Sequence, residues 1–393
     1  MSRSIRSLAL GLALALGVAG PVCGYAPGIT AVQLSPSEAA AVQRAAQAWL
    51  EKAKAQGFSG TVLVADGRNV LFEGQAGLAD PATGTAIGPN TRFNLASTGK
   101  LFTTVAVLQL HERGKLDLDA PIGRYLPDWP VQSVREQVTA RQLLMHTSGL
   151  GAFWGPDFKA RRQSLHQLRD YIPLLAAEPE FEPGTAFRYS NSGFMLLGLL
   201  VESVSGQSYY DYVAQHVFAP AGMRDTGYYA IDGRAERAAV PHRGGTGQDR
   251  DAPILPLPEP RGAAAGGGYS TARDLLRFHR ALLDGRLLGP KAMALLFAPV
   301  ELPPGTRAPP HGLGVLRYEA DGDVAYSHPG GAPGIGVDFR GMRASGFAVV
   351  VMSNSEQPRT MSLVPELLAA ISDAGGPDLR LPRRDAPMPA PAR

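Results

Sequence analysis

The sequence has 393 residues, 45% of them hydrophobic, which is enough to bury a sizeable core in one large domain or two intergrown ones. Its formal net charge is only +3 and its basic residues are scattered, so the sequence predicts no nucleic-acid partner. Only six residues are lysines, so a lysine within a chemical motif carries more information here than it usually does.

The first 24 residues (1–24) have the pattern of a signal peptide. Two arginines precede an apolar run from Leu8 to Val18, which is too short to span a bilayer, and small residues follow it. We therefore expect an exported protein, either periplasmic or secreted. The single cysteine, Cys23, lies in this segment, so its removal would leave no thiol for disulfides or metal binding. A lipid anchor at Cys23 is the alternative, although the two residues before it fit a lipoprotein signal poorly.

The next part of the chain carries signals for a helix followed by a β-hairpin. Ser35-Pro36-Ser37-Glu38 combines a capping serine, a first-turn proline and a glutamate three residues after the cap, which predicts a helix that ends at Gly57. Thr61–Val64 and Val70–Phe72 are strand-like and are separated by a turn at Asp66-Gly67, which predicts a hairpin.

From Lys100 to about residue 265 the sequence predicts mostly helices joined by loops rich in proline and glycine. Residues 231–268 show little periodicity, and so long a loop in a compact chain is usually functional, for example as a pocket wall. Strand-like segments then return, followed by a closing helix over about 361–372. Residues 376–393 are rich in proline and charge, which predicts a disordered tail. We expect no membrane span, because no segment after the signal peptide is long and apolar enough.

Strands at both ends of the chain therefore enclose a helical middle. This order predicts an α+β fold with one antiparallel sheet, flanked by helices, and an inserted helical lobe. We place the folded domain at residues 36–375, with a sheet lobe over about 36–96 and 266–375 and a helical lobe over about 97–265.

Ser97 and Lys100 form a Ser-x-x-Lys motif. In a helix that begins at Ser97, residues three apart lie on one face, so the lysine amine would reach the serine hydroxyl. A free serine is a weak nucleophile that needs a nearby base, and a lysine can serve when its surroundings favour the neutral amine. Backbone N–H groups at the helix start would also stabilise a developing oxyanion. Taken alone, the motif fits a capped helix with a surface lysine equally well.

Two further segments carry candidate chemistry. Tyr189-Ser190-Asn191 offers a phenol that can relay a proton and an amide that can hold a carbonyl or the lysine; a structural tyrosine followed by an asparagine cap is the simpler alternative. His328-Pro329-Gly330-Gly331 lies on a candidate strand near the C-terminal end of the sheet, and its glycines would let a substrate approach the backbone closely. Here the simpler alternative is a turn with an incidental histidine.

Together these three motifs, in this order and spacing, resemble the family of class C β-lactamases, D-alanyl-D-alanine carboxypeptidases and β-lactamase-like esterases. The resemblance extends over about residues 37–372, and the segments that support it are Gly114–Asp119, Leu143–Leu150, Glu182–Gly184, Gly222–Thr226 and Gly267–Asp274. It implies a β-lactamase/transpeptidase-like fold with the site in the cleft between the two lobes. The absence of a Gly-x-Ser-x-Gly sequence argues against an α/β-hydrolase.

The resemblance also implies a role for each motif residue in an acyl transfer to water. Ser97 would attack the substrate carbonyl, Lys100 and Tyr189 would share the proton transfers, and Asn191 would orient Lys100 and the substrate. His328 and Gly330 would line the substrate pocket, and the backbone N–H groups of Ser97 and Gly331 would form the oxyanion hole. No cofactor is implied, and the histidines show no metal-ligand spacing. His146, in a supporting segment, is expected to be mainly structural.

The third motif departs from one branch of that family. Class C β-lactamases usually carry Lys-Thr-Gly where this chain has His328-Pro329-Gly330. A histidine is only partly charged at neutral pH, and proline offers neither a hydroxyl nor an N–H. We therefore expect an esterase or D-amino-acid peptidase-like activity on a small ester or peptide, with weak or no action on a β-lactam. A class C-type β-lactamase and a non-catalytic penicillin- or cell-wall-binding protein remain open alternatives, and the sequence indicates no oligomeric state.

Overall fold

The computed structural model describes residues 34–67, 69–229, 236–254 and 261–381. The predicted signal peptide with Cys23 lies outside these residues, as do residues 231–235 and 255–260 of the predicted pocket-wall loop and residues 382–393 of the predicted tail. Within the described ranges, no helix combines the length and the apolar character that a bilayer crossing requires.

An antiparallel sheet built from both ends of the chain forms the centre of the fold, as the sequence predicts. In the described residues the strands are β1 Gly60–Ala65, β2 Val70–Ala76, β3 Leu78–Asp80, β4 Thr85–Ala86, β5 Phe93–Asn94, β6 His242–Gly244, β7 Tyr269–Ser270, β8 Leu316–Ala320, β9 Asp323–Ser327, β10 Gly330–Ala332, β11 Ile335–Met342, β12 Ala348–Ser353 and β13 Ser355–Gln357. The main sheet has the order β2-β1-β12-β11-β9-β8, and β10 also pairs with β11. The predicted N-terminal hairpin, β1 with β2, is thus joined edge to edge with C-terminal β12.

Helices cover both faces of this sheet and, joined by long loops, are the main regular structure in the described middle of the chain. The α-helices in the described residues are α1 Pro36–Ala55, α2 Lys100–Glu112, α3 Gln132–Gln137, α4 Ala140–Leu144, α5 Pro156–Arg161, α6 Ile172–Leu175, α7 Asn191–Ser205, α8 Tyr209–Val213, α9 Ala219–Ala221, α10 Ala272–Leu283, α11 Pro290–Phe297 and α12 Thr360–Asp373. The capping box predicted for α1 is present, because Ser35 Oγ accepts from Glu38 N at 3.3 Å and Glu38 Oε2 accepts from Ser35 N at 2.7 Å.

The alternation of side chains along the strands divides the core into two layers. On β1, Val62 and Val64 point to the face covered by α1 and α12, whereas Leu63 points to the opposite face. That opposite face continues into the apolar interior of the helical region, which includes α2 and α7. The turn before α2 packs against β10 and β11, so α2 begins where the sheet meets the helical region.

Two details differ from the sequence-based expectations. Strand β6 lies within the segment assigned to the helical lobe and pairs in parallel with β13. Residues 376–381, predicted to belong to a disordered tail, follow a defined path on the protein, and Leu379 is fully buried. The carbonyl of Leu379 accepts hydrogen bonds from the Tyr318 hydroxyl and from Arg340 Nη1. The composition of this segment could not predict these contacts, because they are made with residues distant in sequence.

Candidate active site

Ser97 lies in a tight 3₁₀ turn, Ala96–Gly99, that leads directly into α2. Residues three apart align in such a turn, and Lys100 Nζ lies 3.4 Å from Ser97 Oγ. Ala96, immediately before the serine, has a φ of 42°, which is a strained conformation for a residue with a side chain. The sequence correctly predicted a helix start here, and the 3₁₀ turn brings the two side chains together.

A glycine-rich loop holds this strained turn in place. Gly267 N donates to Ala96 O at 2.9 Å, and Leu95 N donates to Gly268 O at 3.0 Å. A Cβ on Gly266 would lie 2.5 Å from Ala96 O, and the φ of Gly266 is +145°, so only glycine fits there. Close approach of two backbone segments is therefore the reason for the glycine run 266–268.

Lys100 is completely buried and extends into the same pocket. Its Nζ donates to Asn191 Oδ1 at 2.7 Å and to the carbonyl oxygen of Ala265. Asn191 is the first residue of α7, and Ser190 caps that helix by accepting from Gly193 N at 2.8 Å. These neutral oxygens orient the amine towards Ser97, where it can take up or return the hydroxyl proton.

Tyr189 approaches Ser97 from the other side. Its ring centroid lies 4.9 Å from Lys100 Nζ. Desolvation of the phenol raises the pKa of Tyr189 above its ordinary value, and the nearby Ser97 side chain opposes this only in part. The residue as a whole is 41% exposed, so its outer edge remains accessible from the cleft. A protonated phenol at this position can pass a proton between Ser97 and a bound molecule.

His328 and Pro329 interrupt the line of β9 and β10, which both pair with β11. The His328 ring is buried, lies 6.4 Å from the Tyr189 ring and donates from Nδ1 to Pro329 O at 3.1 Å. Burial and the nearby Lys100 charge lower the pKa of His328 to about 3. The imidazole is therefore neutral at neutral pH, which weakens any role in holding a substrate carboxylate.

Gly330 and Gly331 bring β10 against the turn that carries Ser97. A Cβ on Gly330 would lie 2.3 Å from Leu95 O and 2.9 Å from Thr98 N. Gly331 is exposed, and a Cβ there would meet no atom nearer than 3.9 Å. Ser97, Lys100, Tyr189, Asn191, His328 and Gly330 thus converge on one cleft, with Gly331 on its open side; the role of each residue stays a prediction.

The sequence interpretation missed two contributors to this cleft. The Ala265 carbonyl binds Lys100, although the only signal was the glycine run that follows it. The second missed contributor is His311, whose charge acts on the pKa of both His146 and His328. Among the described residues, no three His, Cys, Asp or Glu side chains are grouped so that they could hold a metal ion.

A serine, a buried lysine and a tyrosine, placed where an antiparallel sheet meets an inserted helical region, define a serine hydrolase of the β-lactamase/transpeptidase type. The family model described as Beta-lactamase matches residues 42–372, so the chain belongs to the beta-lactamase family. This finding confirms the resemblance that the three motifs carry.

Individual relatives in this family are named as a penicillin-binding protein, an esterase and a D-amino acid amidase. The chain is 32% identical over 296 residues to Penicillin-binding protein 4* of Bacillus subtilis (strain 168), a match that covers 70% of this chain but only 64% of that protein. It is 32% identical over 336 residues to esterase EstB of Burkholderia gladioli, covering 75% of this chain and 85% of the esterase. A structure of D-amino acid amidase from Ochrobactrum anthropi SV3, complexed with D-phenylalanine, has a TM-score of 0.68 at 25% identity, covering 85% of this chain and 99% of the amidase.

Proposed function

We propose that this protein hydrolyses an ester or amide bond through an acyl-serine intermediate, with Ser97 as the nucleophile. The observation that carries the proposal is that Lys100 Nζ lies 3.4 Å from Ser97 Oγ and 4.9 Å from the centroid of the Tyr189 ring, so that the three side chains meet at one point. A capped helix with a surface lysine would not explain why Lys100 is completely buried and directed at the serine.

The reaction then follows from the geometry in two stages. Ser97 Oγ attacks the substrate carbonyl carbon while its proton passes to the Lys100 amine, and the backbone N–H groups of Ser97 and Gly331 bind the oxyanion. As the tetrahedral intermediate collapses, Tyr189 donates a proton to the leaving alkoxide or amine and regains one from Lys100. Water repeats the attack on the acyl-serine, giving the carboxylic acid and free Ser97.

The substrate class is proposed from the third motif and from the relatives. The neutral, buried His328 and the following Pro329 provide no fixed cation and no hydroxyl for a substrate carboxylate, which disfavours efficient β-lactam hydrolysis. Relatives named as an esterase and a D-amino acid amidase favour small esters and amides of D-amino acids instead. We place short carboxylic esters first and D-amino-acid amides or peptides second.

The test compares three substrates on one preparation: a short-chain p-nitrophenyl ester, a D-amino-acid amide and a chromogenic cephalosporin. Ser97→Ala is the control, and mass spectrometry of the intact protein reports the acyl adduct. We expect ester turnover with an adduct that Ser97→Ala abolishes, and slower cephalosporin turnover. Faster cephalosporin than ester turnover would identify a class C-type β-lactamase instead. A persistent cephalosporin adduct without turnover of any of the three substrates would indicate a non-catalytic binding protein.

Export is a separate part of the proposal, and it rests on the sequence of residues 1–24. Fractionation of cells that express the full chain, followed by N-terminal sequencing, tests it. We expect a processed protein outside the cytoplasm, and a Cys23→Ser variant processed in the same way. Membrane retention that Cys23→Ser abolishes would support the lipid anchor.

A further inference from the structure

His146 contacts the Tyr189 segment at three points, although the two residues lie 43 positions apart in the sequence. The carbonyl oxygen of His146 accepts from Arg188 N at 2.9 Å, and its Nδ1 accepts from Ser190 N at 3.1 Å. Its ring lies against the Tyr189 ring, with centroids 4.5 Å apart and planes inclined by 38°. The residues on both sides of Tyr189, and Tyr189 itself, are thus held by one histidine.

The backbone of His146 is strained in order to make these contacts. Its φ is +58°, a left-handed conformation that few residues other than glycine and asparagine adopt readily. Such strain persists only where the surrounding structure enforces it, and it concentrates at functional sites. The side chain is buried, and its ring also packs against the Phe194 ring, with the two centroids 5.2 Å apart.

The surroundings of the ring keep it neutral. The charges that act on the imidazole are those of Lys100, His311 and His328. The backbone N–H of Arg188 donates to the carbonyl oxygen of His146. Burial, followed by the charge of Lys100, lowers the pKa of His146 well below its usual value. Nδ1 therefore remains an acceptor for the Ser190 N–H, which fixes the proton of the neutral ring on Nε2.

We infer that His146 is a positioning residue that holds the Tyr189 hydroxyl in line with Ser97 for proton donation to the leaving group. This inference rests on the proposed function, in which Tyr189 supplies that proton. The ring of His146 fixes the plane of the phenol, and Nδ1 fixes the backbone immediately after it. Without the imidazole, Ser97 and Lys100 keep their own contacts, and only the proton transfer through Tyr189 is impaired.

The test measures kcat/KM, which reports the acylation step, for esters of one acid with alcohols of increasing pKa, from p-nitrophenol to an aliphatic alcohol. A p-nitrophenolate leaves without protonation, whereas an alkoxide needs the proton. We expect His146→Phe, which keeps an aromatic ring but lacks Nδ1, to lower kcat/KM for the alkyl ester by about 10- to 100-fold. The loss for the p-nitrophenyl ester should be several-fold smaller, and Tyr189→Phe should show the same pattern more strongly.

Two smaller polar variants keep the test decisive if His146→Phe does not fold. His146→Asn tolerates the left-handed backbone and places a carbonyl oxygen where Nδ1 lies, whereas the oxygen of His146→Gln extends beyond that position. We expect the asparagine variant to recover part of the alkyl-ester rate and the glutamine variant not to do so. Circular dichroism and thermal unfolding confirm that the compared variants are folded.

The outcomes separate this inference from the proposed function. Ester hydrolysis that survives Ser97→Ala would refute the proposed function. The proposed function stands if Ser97→Ala abolishes activity and Tyr189→Phe slows the alkyl ester more than the p-nitrophenyl ester. In that case, equal losses for both esters in the His146 variants would refute only the positioning role of His146. Equal losses for both esters in Tyr189→Phe would also refute the positioning role, because Tyr189 would then transfer no proton to the leaving group.

Discussion

Lys100 Nζ lies 2.7 Å from Asn191 Oδ1, so the amine of α2 is held by the first side chain of α7. The neutral amide orients the lysine without adding a charge. A carboxylate in the same place would stabilise the protonated ammonium and oppose its action as a base. The chemistry of the cleft therefore depends on the amide at this position.

Asn191→Asp tests this dependence. We expect the acid limb of the pH profile of kcat/KM for the p-nitrophenyl ester to move about 1–3 pH units upward, because an opposite charge within hydrogen-bond distance produces shifts of this size. Asn191→Ala is the control, since it removes the contact without adding charge and should lower the rate without that upward displacement. An unchanged limb in Asn191→Asp would mean that Lys100 does not supply the base.

Two adjacent glycines provide a matched pair for the packing of β10 against the Ser97 turn. A Cβ at Gly330 would lie 2.3 Å from Leu95 O, whereas a Cβ at Gly331 would have no neighbour nearer than 3.9 Å. We expect Gly330→Ala to lower the free energy of unfolding by about 1–3 kcal/mol and to reduce activity, because the strand must move away from Ser97. Gly331→Ala should stay within about 0.5 kcal/mol of the wild type in urea unfolding. Equal stability of the two variants would contradict the close approach.

The local parts of this site could be predicted from the sequence, whereas the contacts between distant segments could not. Ser97 and Lys100 are three residues apart, so helical geometry alone brings them together. Tyr189 and Asn191 lie at the start of an apolar helix that the sequence predicts, although the cap is Ser190 and not the asparagine. Their convergence on Ser97 came only from the family resemblance, because spacing along a chain does not determine which helices pack together.

The remaining features depend on pairs that no local pattern encodes. The Ala265 carbonyl bound to Lys100 and the imidazole bound to Ser190 N belong to segments far from their partners in sequence. His146 was expected to be mainly structural, and its contacts with Arg188, Ser190 and the Tyr189 ring support a more specific role. For the sheet, the alternation and turn signals of β1 and β2 sufficed for the hairpin, whereas the β6–β13 pairing had no comparable signal.

Removal of the ordered part of the C-terminal segment should destabilise the protein. The Leu379 side chain is fully buried, and its carbonyl accepts from the Tyr318 hydroxyl at 2.8 Å and from Arg340 Nη1 at 2.6 Å. Arg340 is itself buried and paired with Asp338 at 2.8 Å. A chain that ends at residue 375 leaves both donors short of an acceptor, at a cost of about 1–3 kcal/mol for each, and exposes apolar surface.

A chain that ends at residue 381 is the matched control, because it retains every one of these contacts. We expect the melting temperature of the chain ending at residue 375 to be several degrees lower than that of the control. Leu379→Ala in the full chain should lie between them, since it removes the side chain but keeps the carbonyl. Identical melting curves for the two truncated chains would show that residues 376–381 contribute nothing to stability.

The buried His279 should make the protein less stable in mild acid. The residue has no exposed surface; its Nδ1 accepts from the Tyr326 hydroxyl at 2.9 Å and its Nε2 donates to Gly346 O at 3.2 Å. Burial lowers the pKa of His279 to about 4 from an ordinary value of 6.5. Below about pH 6.5 the unfolded chain binds a proton that the native state does not accept until about pH 4, so the free energy of unfolding falls across this range.

At about 1.4 kcal/mol for each unit of pKa difference, the total loss from this one group is about 3 kcal/mol. His279→Gln should be less stable than the wild type at pH 7, because it disturbs both hydrogen bonds, but it should lack this titration. Urea unfolding of the two proteins at pH 7, 6, 5 and 4 should therefore show the stability difference shrinking by about 3 kcal/mol as the pH falls. Acid effects of the other groups, including His146 and His328, are common to both proteins and cancel in the difference. A difference that stays constant from pH 7 to pH 4 would mean that His279 does not resist protonation in the folded state.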